Sequence, residues 1–578
     1  MNPRTLILLV LLLAGLGGLA WWQSRREAVA QPVGEFALLE GLDRGRVKSL
    51  RVDQFTYSLQ MELRVDADGG WRMVDPIDFP ADGAVVGWLL DALSQNRATA
   101  VVDPDPKGLG FEPPRAVVEV REDVGGRERV HRIELGQPDL DGQHLFVRVD
   151  GKIVRTLGNL DNALDRPRDL WRAKEILVFD PRGVVEFSRR GKLGNPDGSE
   201  ARDLELDAVL GASGWSAVKP FEGTLDPTRV LDWLQLLRDV RVKAFVDEAS
   251  GLPDVVGLDQ VDLTFEIAEL SGKRTVLSFH RDRKSTAWYA MRSDAPYVWK
   301  IDPIAVDELS LPTEAFVDYQ FVRVPKGDVD QVHLVLGDGE LWLERFEQRW
   351  IVWDGPESGR ASSSPAEPAA AELLIGKLAT LNFVQHVTSL PFEADDARSG
   401  IWLRAGGAPF GGRIGRETRT PEGGQGHLFR RDGESLVFLL DPSTLALAST
   451  TRAELESRQV LRLRELDLVL ASVAGAGEVR KYIRSPKGRW SPDGVDQEAK
   501  EFALLVDRLI GLRAERWLVG SDSGVLAEPI AVTFTDGFGN VTPFTLGRVG
   551  ERAVAEFAGR RAEVDPALHA EVAKLLAP

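Results

Sequence analysis

The stretch from Gly214 to Glu248 reads GWSAVKPFEGTLDPTRVLDWLQLLRDVRVKAFVDE, and the architecture follows from it. Trp215 belongs to a short strand that Lys219-Pro220 breaks. Asp226-Pro227 then opens a helix. An Asp at the N-cap accepts orphan backbone N–H groups of the first turn, and a Pro at the first helical position has no N–H to lose. Val230, Leu234 and Leu237 fall at i, i+4 and i+7, one apolar stripe with polar residues on the opposite face. The β-branched and aromatic run Ala244–Val246 leaves the helix as a strand.

The same arrangement is written three more times. Gly70–Pro76 (GWRMVDP) leads to a helix from Asp82 to about Arg97, striped by Val86, Leu89, Leu90 and Leu93, with Ala100–Asp103 as its exit. Arg349-Trp350 leads to Ser364-Pro365-Ala366-Glu367, which has the S-x-x-E capping-box form, and to a helix running to about Leu381. Arg489-Trp490 leads to a cap at Asp496 and a helix to about Leu512, striped by Phe502, Leu505, Val506 and Leu509. Trp71, Trp215, Trp350 and Trp490 are thus spaced 144, 135 and 140 residues apart. A period of this size is a small domain, too long for a solenoid repeat. A tryptophan at a fixed place beside each helix reads as a core plug between hairpin and helix, in preference to a platform for sugar or peptide.

Alternating strands follow each helix. They are Ala116–Val120, Arg132–Gly136, Leu145–Val149 and Ile153-Val154 in the first copy, and Val261–Ile267, Thr275–Phe279, Trp288–Met291 and Val298–Ile301 in the second. The fourth repeats them at Ile530–Phe534, Pro543–Leu546, Val554–Phe557 and Ala562–Val564. Such alternation predicts half-buried antiparallel strands, and one helix on one sheet face gives an α+β unit. The predicted organisation is an N-terminal segment over 1–30, units over 31–180 and 181–325, a degenerate unit over 326–465, and a fourth over 466–578. In the third unit, Glu357–Ala371 and the glycine-rich Gly406–Gly426 read as exposed, mobile loops.

The chain has 578 residues, a formal net charge of −18 and 43% apolar residues, enough for several cores and too acidic for a nucleic-acid footprint. It has no cysteine, which removes disulfides, thiol chemistry and Cys-ligated metals. The uncharged, leucine-rich run Thr5–Trp22 follows Arg4. As a helix it would span ~27 Å, close to a hydrocarbon core of ~30 Å, with Trp21 and Trp22 at the interface. Two readings compete: an uncleaved signal anchor, and a signal peptide cut after Ala28-Val29-Ala30. The length of the run, and the position of that site beyond Arg25-Arg26, favour the anchor. It would place the protein in the inner membrane as a single-pass chain with its bulk periplasmic.

Catalytic signatures are absent. There is no H-E-x-x-H, G-x-S-x-G or Walker loop, and the seven histidines lack partners at metal-ligand spacing. Asp66–Gly69 and Asp139–Gly142 read as hairpin turns, not calcium loops, because the remaining oxygen ligands are missing. No catalytic, cofactor or metal residue is assigned, and no cofactor is expected.

The N-terminal apolar segment, the lead-in Leu39-Glu40-Gly41, the Gly-Trp-x-x-Val-x-Pro motif at Gly70 and Gly214, the Asp-capped helix and the Phe245-Val246-Asp247 exit together resemble a known family. Arg168-Asp169-Leu170-Trp171 and Val178-Phe179-Asp180-Pro181 resemble it too. It is bacterial domain-of-unknown-function family 4340, and the resemblance is clearest over residues 38–325. The resemblance implies a non-catalytic, membrane-tethered extracytoplasmic accessory or scaffold protein of an ABC-type, gliding-motility-like transporter. Its partner would be a permease or a Gld-like auxiliary subunit. The rival readings are a periplasmic glycan- or peptide-binding module and a carboxylate-based envelope hydrolase.

Overall fold

Period-two alternation becomes, in the structure, antiparallel sheets with one apolar face each. In Val47–Gln54, Leu50, Val52 and Gln54 are buried, while Arg51 is exposed and Ser49 and Asp53 are half-buried on the other face. The computed structural model describes residues 34–102, 104–193, 202–246, 260–282, 286–387, 391–393, 398–419, 425–518 and 524–577. The expected anchor with Trp21 and Trp22, the exit residues Asp103 and Asp247, and most of the insert Gly191–Asp203 lie outside these residues. Among the described residues, no helix is long and apolar enough to cross a membrane. Four antiparallel sheets and packed helices make the fold α+β.

The chain divides into two compact units. One runs to Trp215 and takes in Pro227–Phe316; the other joins Ser216–Asp226 to the chain from Val317 onward. In the first unit, the first sheet has ten strands in the order 36–37, 97–100, 152–157, 144–149, 127–138, 116–124, 47–54, 59–65, 71–75 and 79–80. The helix Gly83–Gln95 carries the chain from the edge strand 79–80 to strand 97–100, next to the opposite edge, and buries Val86, Leu89, Leu90 and Leu93. Asp82 caps it by accepting from the N–H groups of Ala84 and Val85. The second sheet runs 206–211, 184–193, 263–269, 274–281, 288–292, 298–301 and 244–246 under the helix Pro227–Arg238, which buries Val230, Trp233, Leu234 and Leu237. Its core holds a cation. Arg189 is fully buried, donates to the carbonyls of Leu309 and Leu311, and lies 4.7 Å over the Phe316 ring. Burial without a carboxylate partner pushes its pKa down to about 9.

In the second unit, the third sheet runs 364–365, 349–354, 339–346, 329–336, 400–405, 408–419, 425–431, 438–440 and 385–386 under the helix Pro368–Ala379. The fourth runs 490–492, 478–484, 468–475, 527–536, 541–549, 552–557, 560–563 and 516–518 under Lys500–Ile510.

Each sheet opens on a 3-10 turn, at Arg44–Arg46, Pro181–Gly183, Lys326–Asp328 and Glu465–Asp467. The strand that follows has a register shift between its first and third residues in every case: Val47/Ser49, Val184/Glu186, Val329/Gln331 and Leu468/Leu470. Three linkers also share one pattern. Arg172 bridges Ala81 and Glu175 bridges Arg241; Val317 bridges Leu225 and Gln320 bridges Asn382; Glu456 bridges Ala366 and Gln459 bridges Arg513.

Three expectations are corrected. Ser364 does not cap a helix: it is buried in a two-residue strand, and the helix begins after Glu367, whose side chain makes no cap bond. Asp496 does not cap either. It is exposed and paired with Arg489, and the helix begins after Ala499. The reason is common to both. The Trp350 and Trp490 carbonyls accept from the N–H groups of Ala366 and Ala499, as Trp71 accepts from Ala81, so the tryptophan strand decides where the helix starts. Finally, the described part of Gly406–Gly426 is mostly strand: Ala408–Arg419 and Gln425–Arg431 are paired. A Cβ on Gly400 or Gly411 would collide with the Trp402 ring, so these glycines make room for an indole on the sheet.

Candidate functional site

A cavity of about 820 Å³ opens at one end of the first sheet. That is within the size range of small-molecule sites, ~300–1,000 Å³. Its wall comes from four places: the end of the lead strand (Asp53, Gln54), the hairpin turn with the start of the next strand (Phe55, Tyr57, Ser58, Leu59, Gln60), the end of the tryptophan strand (Asp75, Pro76) and the linker (Pro167, Arg168, Asp169). The turn is closed by the Ser58 N–H donating to the Phe55 carbonyl, and the Phe55 and Tyr57 rings stay 55% and 45% exposed at the rim.

Alternation along the lead strand puts Gln54 on the buried face, where it is 5% exposed. Its Nε2 donates to the Leu164 carbonyl, and its buried Oε1 receives no hydrogen bond. Asp53 Oδ1 is also buried without a hydrogen bond and lies 3.6 Å from Arg51 Nε. A buried acceptor with no donor carries a desolvation penalty of ~1–3 kcal/mol, and these two oxygens lie on opposite faces of the strand, closed off from the cavity. Asp169 pairs with Arg168 at 3.5 Å and Arg172 at 3.4 Å. Asp75 is exposed, and among the described residues no cation reaches its carboxylate. The wall is therefore acceptor-rich and acidic, with three carboxylates against one guanidinium, and it carries no histidine.

The residues singled out from the sequence lie elsewhere. Trp215, Trp350 and Trp490 are 8%, 6% and 1% exposed, and Trp71 is half-buried against its core. Trp215 meets Phe187 at 5.3 Å; Trp350 Nε1 donates to Glu372 of the helix; Trp490 Nε1 donates to Glu465. Asp226 directly precedes its helix and pairs with Arg323 at 3.1 Å. Among the described residues, no group of three or more His, Asp and Glu side chains is placed to hold a metal ion. The cavity itself was not read from the sequence, because its carboxylates stand at 53, 75 and 169. The usable signal was an Asp four residues after a tryptophan, at Asp75 and again at Asp354.

The third sheet has a smaller cavity of about 180 Å³, lined among others by Leu336, Glu340, Leu341, Asp354 and Arg452. The positions correspond. Leu336 stands seven residues after Val329, as Gln54 does after Val47. Arg452 stands four before Glu456, as Arg168 does before Arg172. Here the arginine turns inward. Arg452 lies 3.7 Å from Asp354 and 3.2 Å from Glu456, and donates to the Ser362 carbonyl. Glu340 accepts from Trp342 Nε1 at 3.0 Å and stands 3.1 Å from His333 Nε2.

Sheet, crossing helix and surface cavity define an α+β protein with a ligand-sized site. The model of the domain of unknown function DUF4340 matches residues 71–261 and again 215–399, together more than half of the chain, which belongs to that family. Both matches begin on a tryptophan, Trp71 and Trp215. No curated protein and no solved structure matches the chain.

Proposed function

We propose that this chain is a membrane-tethered, extracytoplasmic accessory or scaffold protein of an ABC-type, gliding-motility-like transport complex, without catalysis of its own. In this reading residues 5–22 hold it in the inner membrane as a single pass, with the bulk periplasmic. Four units of one kind, bounded near 180, 325 and 465, follow. The observation that carries the reading is the shared opening of the four sheets, the same turn and the same register shift at the same step. One frame is reused while the outer faces diverge.

On the first sheet, Glu62, Arg51, Glu119 and Arg132 are direct cross-strand partners, a lattice of alternating charge. On the third, Trp402, His333 and Trp342 stack in one row at 5.2 and 3.7 Å between ring centres, ending 5.9 Å from the buried Trp353. On the fourth, Ile483, Leu470, Thr535 and Val541 form an uncharged row. Like frames with unlike faces suit a scaffold that contacts several partners, and a membrane tether raises effective concentration beside a permease or a Gld-like auxiliary subunit. Affinity purification of the tagged full chain from crosslinked native membranes tests this. Recovery of a transporter subunit is expected; repeated recovery of the chain alone contradicts it.

The cavity of the first sheet favours a second reading, a periplasmic module that binds a peptide or glycan. Retention on peptidoglycan or polysaccharide, with no transporter subunit recovered, would select it.

A further inference from the structure

We infer that the lead-in to the helix Lys500–Ile510, residues 491–499, is a docking surface for a second copy of this chain, which brings to it the hairpin 149–152 of its own first sheet. The first observation is a joint made three times within the chain. After each of the first three tryptophans, a two-residue strand of the lead-in pairs with the two residues that follow the indole: 79–80 with Arg72 and Met73, 223–224 with Ser216 and Ala217, 364–365 with Ile351 and Val352. Each of these lead-ins is met by a hairpin further along the chain. The Tyr297 ring lies 4.3 Å from Phe79, and its hydroxyl donates to the Asp78 carbonyl. The Glu222 N–H donates to the Ser435 hydroxyl, the Ser435 N–H returns to the Glu222 carbonyl, and Glu434 accepts from the Thr224 N–H and hydroxyl. Arg560 donates to the Ser364 hydroxyl at 3.0 Å and to Glu456 at 2.6 Å.

The second observation is that the fourth lead-in has the same start and no cover. Its Ala499 N–H donates to the Trp490 carbonyl, as the Ala81 and Ala366 N–H groups do to Trp71 and Trp350. Among the described residues no two-residue strand pairs with Ser491 and Pro492, which leaves them at the edge of their sheet. Every residue from Asp493 to Glu498 is exposed, and Val495 at the bend is 51% exposed. An uncovered sheet edge of this kind invites pairing with another chain. The third observation is a hairpin without a lead-in. Lys152 is the first residue after its turn, paired with Val149, as Arg560 is with Phe557. Arg560 meets a lead-in; Lys152 is exposed and has no ion-pair partner among the described residues. The fourth lead-in carries the opposite charge. Asp496 pairs with Arg489, while Asp493 and Glu498 have no cation among the described residues. A cationic hairpin and an acidic lead-in are complementary, and the hairpin left over belongs to this chain itself. Because the two surfaces differ, the contact is heterologous, and each added copy leaves one of each surface free.

The chain has no cysteine, so single introduced cysteines report without background. Full-length Lys152→Cys and Gln497→Cys chains, in detergent micelles, are mixed and oxidised. A disulfide between two chains is expected in this mixture. Much less is expected from either variant alone, or when Arg127→Cys replaces Lys152→Cys; Arg127 is exposed and follows another hairpin turn of the first sheet. Sedimentation velocity of the unaltered chain should show association that grows with concentration and weakens in raised salt. Lys152→Glu should weaken it about tenfold or more, and Lys152→Arg should retain it. Circular dichroism checks that both variants keep the fold. The inference is independent of the transporter reading, since copies can associate whether or not a transporter subunit is recovered. A disulfide yield no greater than that of the Arg127→Cys control, a monomer at every concentration, or association unchanged in Lys152→Glu would overturn it.

Discussion

The first and third sheets present the same corner of the same frame in two states. In the first, Asp75 faces an open cavity of about 820 Å³. In the third, Asp354 faces Arg452 across 3.7 Å in a cavity of about 180 Å³. They share a 3-10 turn, a register shift at the second step and a tryptophan strand whose carbonyl bonds an alanine before the helix, but the hairpin after the lead strand spans residues 55–58 in the first sheet and 337–338 in the third, and the first tryptophan strand has a register shift at Glu62/Leu63 that the third lacks. The difference comes from the longer hairpin and the shifted tryptophan strand together with a few side chains, Gln54 against Leu336 and the direction in which an arginine turns. A frame can thus be held constant while a corner of it is opened or closed.

The comparison can be broken by attacking the frame. Trp350→Ala, at a position 6% exposed, should cost ~3–5 kcal/mol of stability, whereas Trp71→Ala, half-buried, should cost clearly less. Urea unfolding of the full chain followed by fluorescence checks this, and equal losses would mean that the two tryptophans do not take unequal parts in their cores. Trp215→Ala should behave as Trp350→Ala does; an unchanged melting temperature would remove Trp215 from the core account.

Opening the closed corner comes next in size. Arg452→Ala removes contacts to Asp354, Glu456 and the Ser362 carbonyl and should cost ~1.5–3 kcal/mol. Thermal melts check this, and an unchanged melting temperature would contradict the pairing described.

Gln54→Leu imitates the third sheet. It loses the bond to the Leu164 carbonyl but also removes an acceptor without a donor, so stability should change by no more than ~1 kcal/mol. A large destabilisation would show that Gln54 holds the wall in place.

The smallest effect concerns His333 beside the closed cavity. Burial holds its pKa below the usual range, while Glu340 pulls it up. The unfolded chain therefore takes the proton first as pH falls, so the stabilising contribution is present above a pH of ~6.5 and declines below it. Melting temperatures measured from neutral pH downward should fall less steeply in His333→Gln than in the wild type. Parallel profiles would remove His333 as a source of the slope.

Much of the fold was legible because alternation and stripes survive folding directly. Val298–Ile301 was read to the residue, and the stripe of Val86, Leu89, Leu90 and Leu93 is the buried face of the first helix. Local rules failed where a distant partner decided. Ser364 and Asp496 have capping chemistry, yet the carbonyls of Trp350 and Trp490 set the helix starts further on. Gly400 and Gly411 lie in strands because Trp402 occupies the space above them. The cavity was invisible for the same reason: its three acids are far apart in the chain and come to line one cavity only after the linker is bridged to Ala81 through Arg172.

The account rests on one corner that is open in the first sheet and filled by the protein's own arginine in the third. A double-mutant cycle of Arg452→Ala and Asp354→Asn, followed by urea unfolding of the full chain, tests this most directly. The account predicts losses that are not additive, with a coupling of ~0.5 kcal/mol or more. Losses that simply add would contradict it.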